Sequence, residues 1–169
     1  MNALKRDEKD FICKDSDGNL FISLDKIDEQ ALADDKLLTH CLAVVKIGND
    51  YLLGWNKWRN RYEIFGGCTE NGETPRECIA RECFEELGIE NGDFRYIGAM
   101  RFYMMPDWFS EKERIELGGL YGISLNDMSI EDISYRIKDK EEIVRLALYS
   151  QIKNKEPIAI IDEKLLEYF

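Results

Sequence analysis

The chain has 169 residues, 44% of them hydrophobic and 34% charged, with a formal net charge of −11. This is the composition of a globular domain with a sizeable core, and its acidity excludes a broad basic surface for polymeric nucleic acid. No run approaches membrane-spanning length and the opening residues MNALKRDEKDF lack a signal-peptide core, so a cytoplasmic protein without a membrane partner is expected.

Residues 1–10 are charged and read as a frayed end. FICKDSDGNLFISL predicts a hairpin around Asp17-Gly18. Asp15, Asp17 and Asn19 invite comparison with a calcium loop, but Leu20 stands where such a loop needs glycine, and the reading fails. The acidic stretch 24–36 reads as a short helix or a linker, which makes residues 1–36 an N-terminal extension of a single domain spanning 1–169.

Leu38 to Ile47 is a continuous apolar run, a buried strand, and Gly48-Asn49-Asp50 turns it into an antiparallel partner, YLLGWN. The basic, aromatic segment Lys57-Trp58-Arg59-Asn60-Arg61 has two readings. It is either a solvated loop or a surface on which arginine forks hold phosphate and the indole stacks a base.

Beyond the Gly67–Ile89 stretch taken up below, FRYIGAMRFYMM predicts a strand, a loop follows Met105-Pro106, and ELGGLYGISL is a further strand. In it, Gly118-Gly119 suggests a bulge or a close backbone approach. Tyr103, Trp108 and Phe109 are either rim and core aromatics or the walls of a pocket that stacks a nucleobase. Residues 126–142 give no clear pattern. IVRLALYS reads as a strand and PIAIIDEKLLEYF as an amphipathic helix with Pro157 in its first turn.

Five cysteines (Cys13, Cys41, Cys68, Cys78, Cys83) include no C-x-x-C pair, and the only histidine is His40. Structural zinc and Ser-His-Asp chemistry are therefore disfavoured, the thiols read as reduced packing residues, and His40 reads as a strand-end or core histidine.

The stretch the chain is organised around is GCTENGETPRECIARECFEELGI, Gly67 to Ile89. A Gly-rich acidic loop leads into a helix whose start is marked by Thr74, Pro75 and Glu77 and whose end is marked by Gly88. At 100° per residue, Ile79, Ala80, Cys83, Phe84 and Leu87 form a core-facing stripe, and Glu82, Glu85 and Glu86 share another arc. Between Glu70 and Glu90 lie seven glutamates and two arginines, a net −5 in one short segment. Like charges one turn apart destabilise a helix, so this is either a solvated acidic face or a site for a divalent cation. All-oxygen ligands one turn apart suit Mg²⁺ or Mn²⁺.

These residues resemble the Nudix box, G-x5-E-x7-R-E-U-x-E-E-x-G-U with U a bulky apolar residue. Gly67, Glu73, Arg81, Glu82, Glu85, Glu86, Gly88 and Ile89 fall on its fixed positions, and Cys83 takes an apolar slot. The resemblance implies an α/β fold, a Nudix-type α/β/α sandwich with a mixed β-sheet and the box as loop-helix-loop. It implies metal-dependent hydrolysis of the pyrophosphate linkage of a nucleoside diphosphate joined to another group. That substrate is an oxidised or non-standard nucleoside triphosphate, or ADP-ribose or a nucleotide sugar.

By the same resemblance Glu82 and Glu86 are the principal metal ligands, with Glu85 as ligand or base and the Gly67 carbonyl completing the sphere. Arg81 is an orienting ion-pair residue of the catalytic constellation, and Glu73 either pairs with it or binds the metal through water. Trp58, Arg59, Arg61, Tyr103 and Trp108 are the candidate substrate contacts, and Glu141 or Glu142 a candidate late base. The implied cofactor is Mg²⁺ or Mn²⁺, the partner a small phosphorylated substrate, and the assembly a homodimer or a single chain. The alternative is a non-hydrolytic nucleotide-binding sensor on the same fold.

Overall fold

The structure is a computed structural model describing residues 10–137 and 140–169, so the expected fraying of residues 1–10 falls almost wholly outside it. The hairpin forms as β1 (Cys13–Lys14) and β2 (Leu20–Asp25), its turn held by the Asp15 carboxylate, which accepts from the N–H groups of Asp17 and Asn19. α1 (Glu29–Ala33) follows, capped by Asp28.

β3 (Leu38–Ile47) is the spine of the sheet. Its whole length runs parallel to β8 (Arg114–Ser124). On its other side it takes two antiparallel neighbours, β6 (Phe65–Cys68) near its start and β4 (Asp50–Asn56) at its end. β4 then leaves β3 and pairs with β5 (Arg61–Glu63) and β9 (Ile143–Leu148). β7 (Arg95–Met104) joins β8 to the N-terminal hairpin, giving the order β1-β2-β7-β8-β3-β4-β5 in a mixed sheet.

Side-chain alternation along β3 sends Cys41, Ala43 and Val45 to one face and Val44 to the other. The first face is covered by α2 (Pro75–Leu87) and α3 (Ile130–Arg136), whose Ile79, Cys83, Leu87 and Ile133 are fully buried. The second is covered by α4 (Tyr149–Ile152), α5 (Ile160–Leu165) and the 3-10 turn after it, through Ile152, Leu165 and Leu166. The layers are those of the expected α/β/α sandwich. No helix among the described residues is long and apolar enough to cross a membrane.

Four local expectations are revised. Gly67 and Cys68 are in strand β6 rather than in a loop, because β6 pairs with His40–Ala43. The unassigned stretch after Asn126 contains α3, capped by Ser129 and Asp132. Pro157 precedes the last helix: its carbonyl accepts from Tyr62 N–H, and Ile158 bridges Tyr62 alongside β5 before α5 begins. The bulge expected at Gly118-Gly119 lies across from them, in β3. Leu38 pairs with Leu117 and His40 with Gly118, which leaves Thr39 as the extra residue.

Candidate active site

The box helix α2 starts as its sequence requires. Thr74 and Glu77 form a reciprocal capping box behind Pro75, and Gly88 ends the helix in the left-handed conformation at φ 65°. Its buried face is Cys78, Ile79, Cys83, Glu86 and Leu87; Ala80 and Phe84, expected in the apolar stripe, are exposed. The helix is rolled so that Cys78 packs beneath Gly67, whose carbonyl accepts from the thiol. That roll carries Glu86 inward, to 6% exposure.

β6 supplies the opposite wall. Gly66 adopts φ +133°, and a Cβ there would lie 2.0 Å from the Cys41 carbonyl oxygen, so only glycine permits this approach of β6 to β3. The Gly66 N–H donates to Glu86 Oε2 at 2.8 Å. Gly67 leaves room for Glu82: a Cβ would meet all three carboxylate atoms at 2.6–2.8 Å.

Arg81 is the hub of the acidic loop. It grips Glu73 through Nε and Nη2 at 2.8 and 3.1 Å, donates to Glu82 at 2.7 Å and to the Cys68 carbonyl at 3.0 Å, and reaches Glu85 at 3.5 Å. Arg81 holds Glu73 below the usual carboxylate range, whereas burial pushes Glu82 above it. Glu86 is driven well above that range, first by burial and then by Glu82, Glu142 and Glu63, with only the Gly66 amide opposing.

A second cluster faces this one from β4, β5 and β9. Asn56 is fully buried. Its amide donates to Glu63 at 3.1 Å and Glu142 at 2.9 Å, while its carbonyl accepts from the N–H groups of Trp58 and Arg59. Arg59 and Arg61 both pair with Glu63, at 2.6 and 2.8 Å. Asp162, at the start of α5, accepts from Ile64 N–H and is pushed up to about 7 by burial and by Glu63.

The two clusters border one open cleft of about 660 Å³, within the range of small-molecule sites. Gly67, Glu86, Glu142, Arg59 and Arg61 line it. Trp58 is 61% exposed and outside the lining, and Glu141 is exposed beside Glu142. Tyr103 turns its hydroxyl to Glu113, and Trp108 is 87% exposed against Phe109, which does line the cleft.

Sequence patterns did not point to Asn56, Glu63 and Asp162. The available signal was a polar residue closing the apolar run YLLGWN, an acid beside the apolar Ile64-Phe65, and an acid inside PIAIIDEKLLEYF.

Among the described residues, no three His, Cys, Asp or Glu side chains already converge on one point. The donor set nonetheless fits a hard divalent cation. Glu86 is a buried carboxylate with a single amide donor and three like-charged neighbours, and the nearby Cys68 and Cys83 thiols are pushed up by burial and by the carboxylates, which leaves oxygen as the ligand type on offer.

The NUDIX domain family model matches residues 39–167. No curated protein matches the chain. Among solved structures, a mutant of the Bacillus subtilis pyrophosphohydrolase BsRppH aligns with TM-score 0.63 at 20% identity, covering 92% of this chain and 94% of that one. The E. coli dihydroneopterin triphosphate pyrophosphohydrolase aligns with TM-score 0.61 at 15% identity, over 79% and 97%. The NUDIX domain of Shewanella oneidensis NrtR, complexed with ADP ribose, aligns with TM-score 0.58 at 12% identity, over 84% and 90%. With the match extending over most of its length and the box intact on α2, the chain belongs to the NUDIX family.

Proposed function

We propose that this chain is a divalent-metal-dependent pyrophosphohydrolase, cleaving the diphosphate linkage of a nucleoside diphosphate joined to another group. The observation that carries the reading is Glu86: a buried, under-neutralised carboxylate in the wall of a cleft that also presents Arg59 and Arg61. Glu82 and Glu86 would hold Mg²⁺ or Mn²⁺, with Glu85 and the Gly67 carbonyl as further oxygen donors. An ion held there would supply charge neutralisation at the diphosphate and a lowered pKa for its water.

The chain's own groups divide the remaining work. Arg81, clamped on Glu73, sets the direction of Glu82 from the helix side. Arg59 and Arg61, carried on the turn and strand after Asn56, offer their charge to phosphate oxygens from across the cleft. Glu142 is the better placed of the two late glutamates to take a proton from water: it lines the cleft, and Asn56 Nδ2 holds one of its oxygens. Two substrate classes fit this chemistry, non-standard nucleoside triphosphates and ADP-ribose or nucleotide sugars. All five cysteines are free thiols, which suits a reducing, cytoplasmic setting.

The test is a panel of both substrate classes assayed with Mg²⁺, Mn²⁺ and EDTA, alongside Glu82→Gln. Turnover of at least one class that vanishes in EDTA and falls at least about 100-fold in the variant, with an unchanged circular dichroism spectrum, is expected. Turnover indifferent to chelation would sink the metal assignment.

A further inference from the structure

The cleft continues past the acidic wall along β3. His40 is two residues from Leu42, which pairs with Gly66, so it stands about 6–7 Å along the strand from the level of the Glu86 contact. Here the bulge matters. In a regular strand, Thr39 and His40 would point to opposite faces; the extra residue breaks the alternation and lets the Thr39 hydroxyl meet His40 Nδ1 at 2.8 Å. Gly118, opposite the bulge, makes the space: a Cβ there would lie 2.7 Å from His40 Nε2.

The direction of these hydrogen bonds follows from counting protons. Arg114 donates to Glu116 at 2.6 Å and to Asp107 at 2.8 Å, so Glu116 is an ion-paired acceptor. Thr39 has one hydroxyl proton and gives it to Glu116 at 3.0 Å. The Thr39 oxygen must then accept from His40, which places the ring proton on Nδ1 and leaves a lone pair on Nε2. Among the described residues nothing hydrogen-bonds that nitrogen, and His40 lines the cleft. Burial keeps the ring below the ordinary histidine range, against the opposing pull of Glu116. Two side-chain donors of the lining are already committed, Arg114 as above and Asn19 to Asp15 at 3.0 Å, and the thiol of Cys68, the cross-strand partner of His40, is only a weak donor. Phe102 lies against the imidazole at 5.3 Å between ring centroids and gives this end of the cleft an aromatic wall.

We infer that His40 is a specificity-determining residue. Its Nε2, fixed as an acceptor by the Thr39–Glu116–Arg114 chain, selects substrates whose heterocycle presents an amino group. This rests on the proposed nucleotide chemistry of the same cleft. An acceptor with no strong competing donor beside it discriminates by what the ligand lacks: a ring without the amino group leaves a desolvated lone pair unpaired. Thr39 is the positioning residue, acting through the tautomer it imposes.

The experiment uses matched nucleotides of equal charge that differ by one amino group: guanosine against inosine triphosphate, and adenosine against purine riboside triphosphate. Wild type is expected to favour the amino-bearing member of at least one pair by about 10–100-fold in kcat/KM. His40→Phe keeps the aromatic volume and should bring that ratio close to one, with the loss mainly in KM. His40→Gln, which can offer an oxygen near the Nε2 position, should retain part of the preference. Thr39→Val should fall between. Dissociation constants for α,β-methylene analogues of the same pairs give the ratio without turnover, so an inactive protein would overturn the hydrolase reading and still report on His40. A wild type indifferent to both pairs, or a ratio unchanged in His40→Phe, overturns the inference. Should that variant not fold, the ratios of His40→Gln and Thr39→Val decide in its place, and wild-type ratios in both overturn the inference.

Discussion

Replacing Glu86 by glutamine should move stability and activity in opposite directions. The side chain is 6% exposed and accepts one hydrogen bond, from Gly66 N–H at 2.8 Å, while Glu82, Glu142 and Glu63 add repulsion. An ionised carboxylate in that position costs folding free energy, because burial removes its hydration and a single amide does not replace it. Glutamine keeps the length and an oxygen for the Gly66 amide, and its NH₂ group faces acceptors rather than repelling them. Relief of about 1–3 kcal/mol is expected in metal-free protein at pH 8. At about 2–4 °C per kcal/mol for a chain of this size, Tm in EDTA should rise by about 2–12 °C.

Saturating Mg²⁺ should narrow that gap or reverse it. A ligand at 100 times its Kd stabilises the wild type by about 2.7 kcal/mol, and the variant, short of one principal ligand, should lose most of that increment together with its turnover. The assay is a pair of melting curves, with EDTA and with Mg²⁺, on both proteins. A variant less stable than wild type in EDTA, or equally responsive to Mg²⁺, would refute the picture of Glu86 as a charge waiting for a counter-ion.

Two further predictions concern the walls of the cleft. Asp162 is raised to about 7, so the folded chain binds its proton more tightly than the unfolded chain does; its contribution is greatest below about pH 4 and is lost as pH rises through 7. Asp162→Asn should therefore gain on wild type between pH 4 and pH 8, by up to about 4 kcal/mol, read from urea midpoints in EDTA; parallel curves would count against it. Gly66→Ala should cost about 3 kcal/mol or more and abolish activity, because its Cβ would meet the Cys41 carbonyl oxygen at 2.0 Å. Gly72→Ala, at φ +81° with nothing within 4 Å, should cost only about 1 kcal/mol, and equal losses at the two sites would refute the steric argument.

What the sequence disclosed is what local chemistry decides. Thr74, Pro75, Glu77 and Gly88 bound α2 through contacts within a turn or two, so their spacing sufficed. The apolar run at Leu38–Ile47 announced a buried strand in the same way. The roll of α2 was not legible, because Ala80 and Phe84 are as plausible in the core as Cys78 until the packing surface is known. The helix settled on Cys78 and Glu86 instead. Asn56, Glu63 and Asp162 meet only where β4, β5 and α5 converge, and nothing within one segment signals that. Thr39 is harder still: its role depends on a register slip against β8, a property of two strands rather than of one.

That pairing of β3 with β8 has a consequence for how the protein acquires its activity. Leu38 aligns with Leu117 and Lys46 with Ser124, partners separated by about 80 positions of chain. β6 and the box helix rest on β3, so the platform for the glutamates is complete only after this long loop has closed, and loop closure of that kind is entropically slow. Nascent chains emerging without β8 carry every box residue but no scaffold to aim them. Competence is therefore a property of the finished topology, gained in one cooperative step with the far end of the sheet.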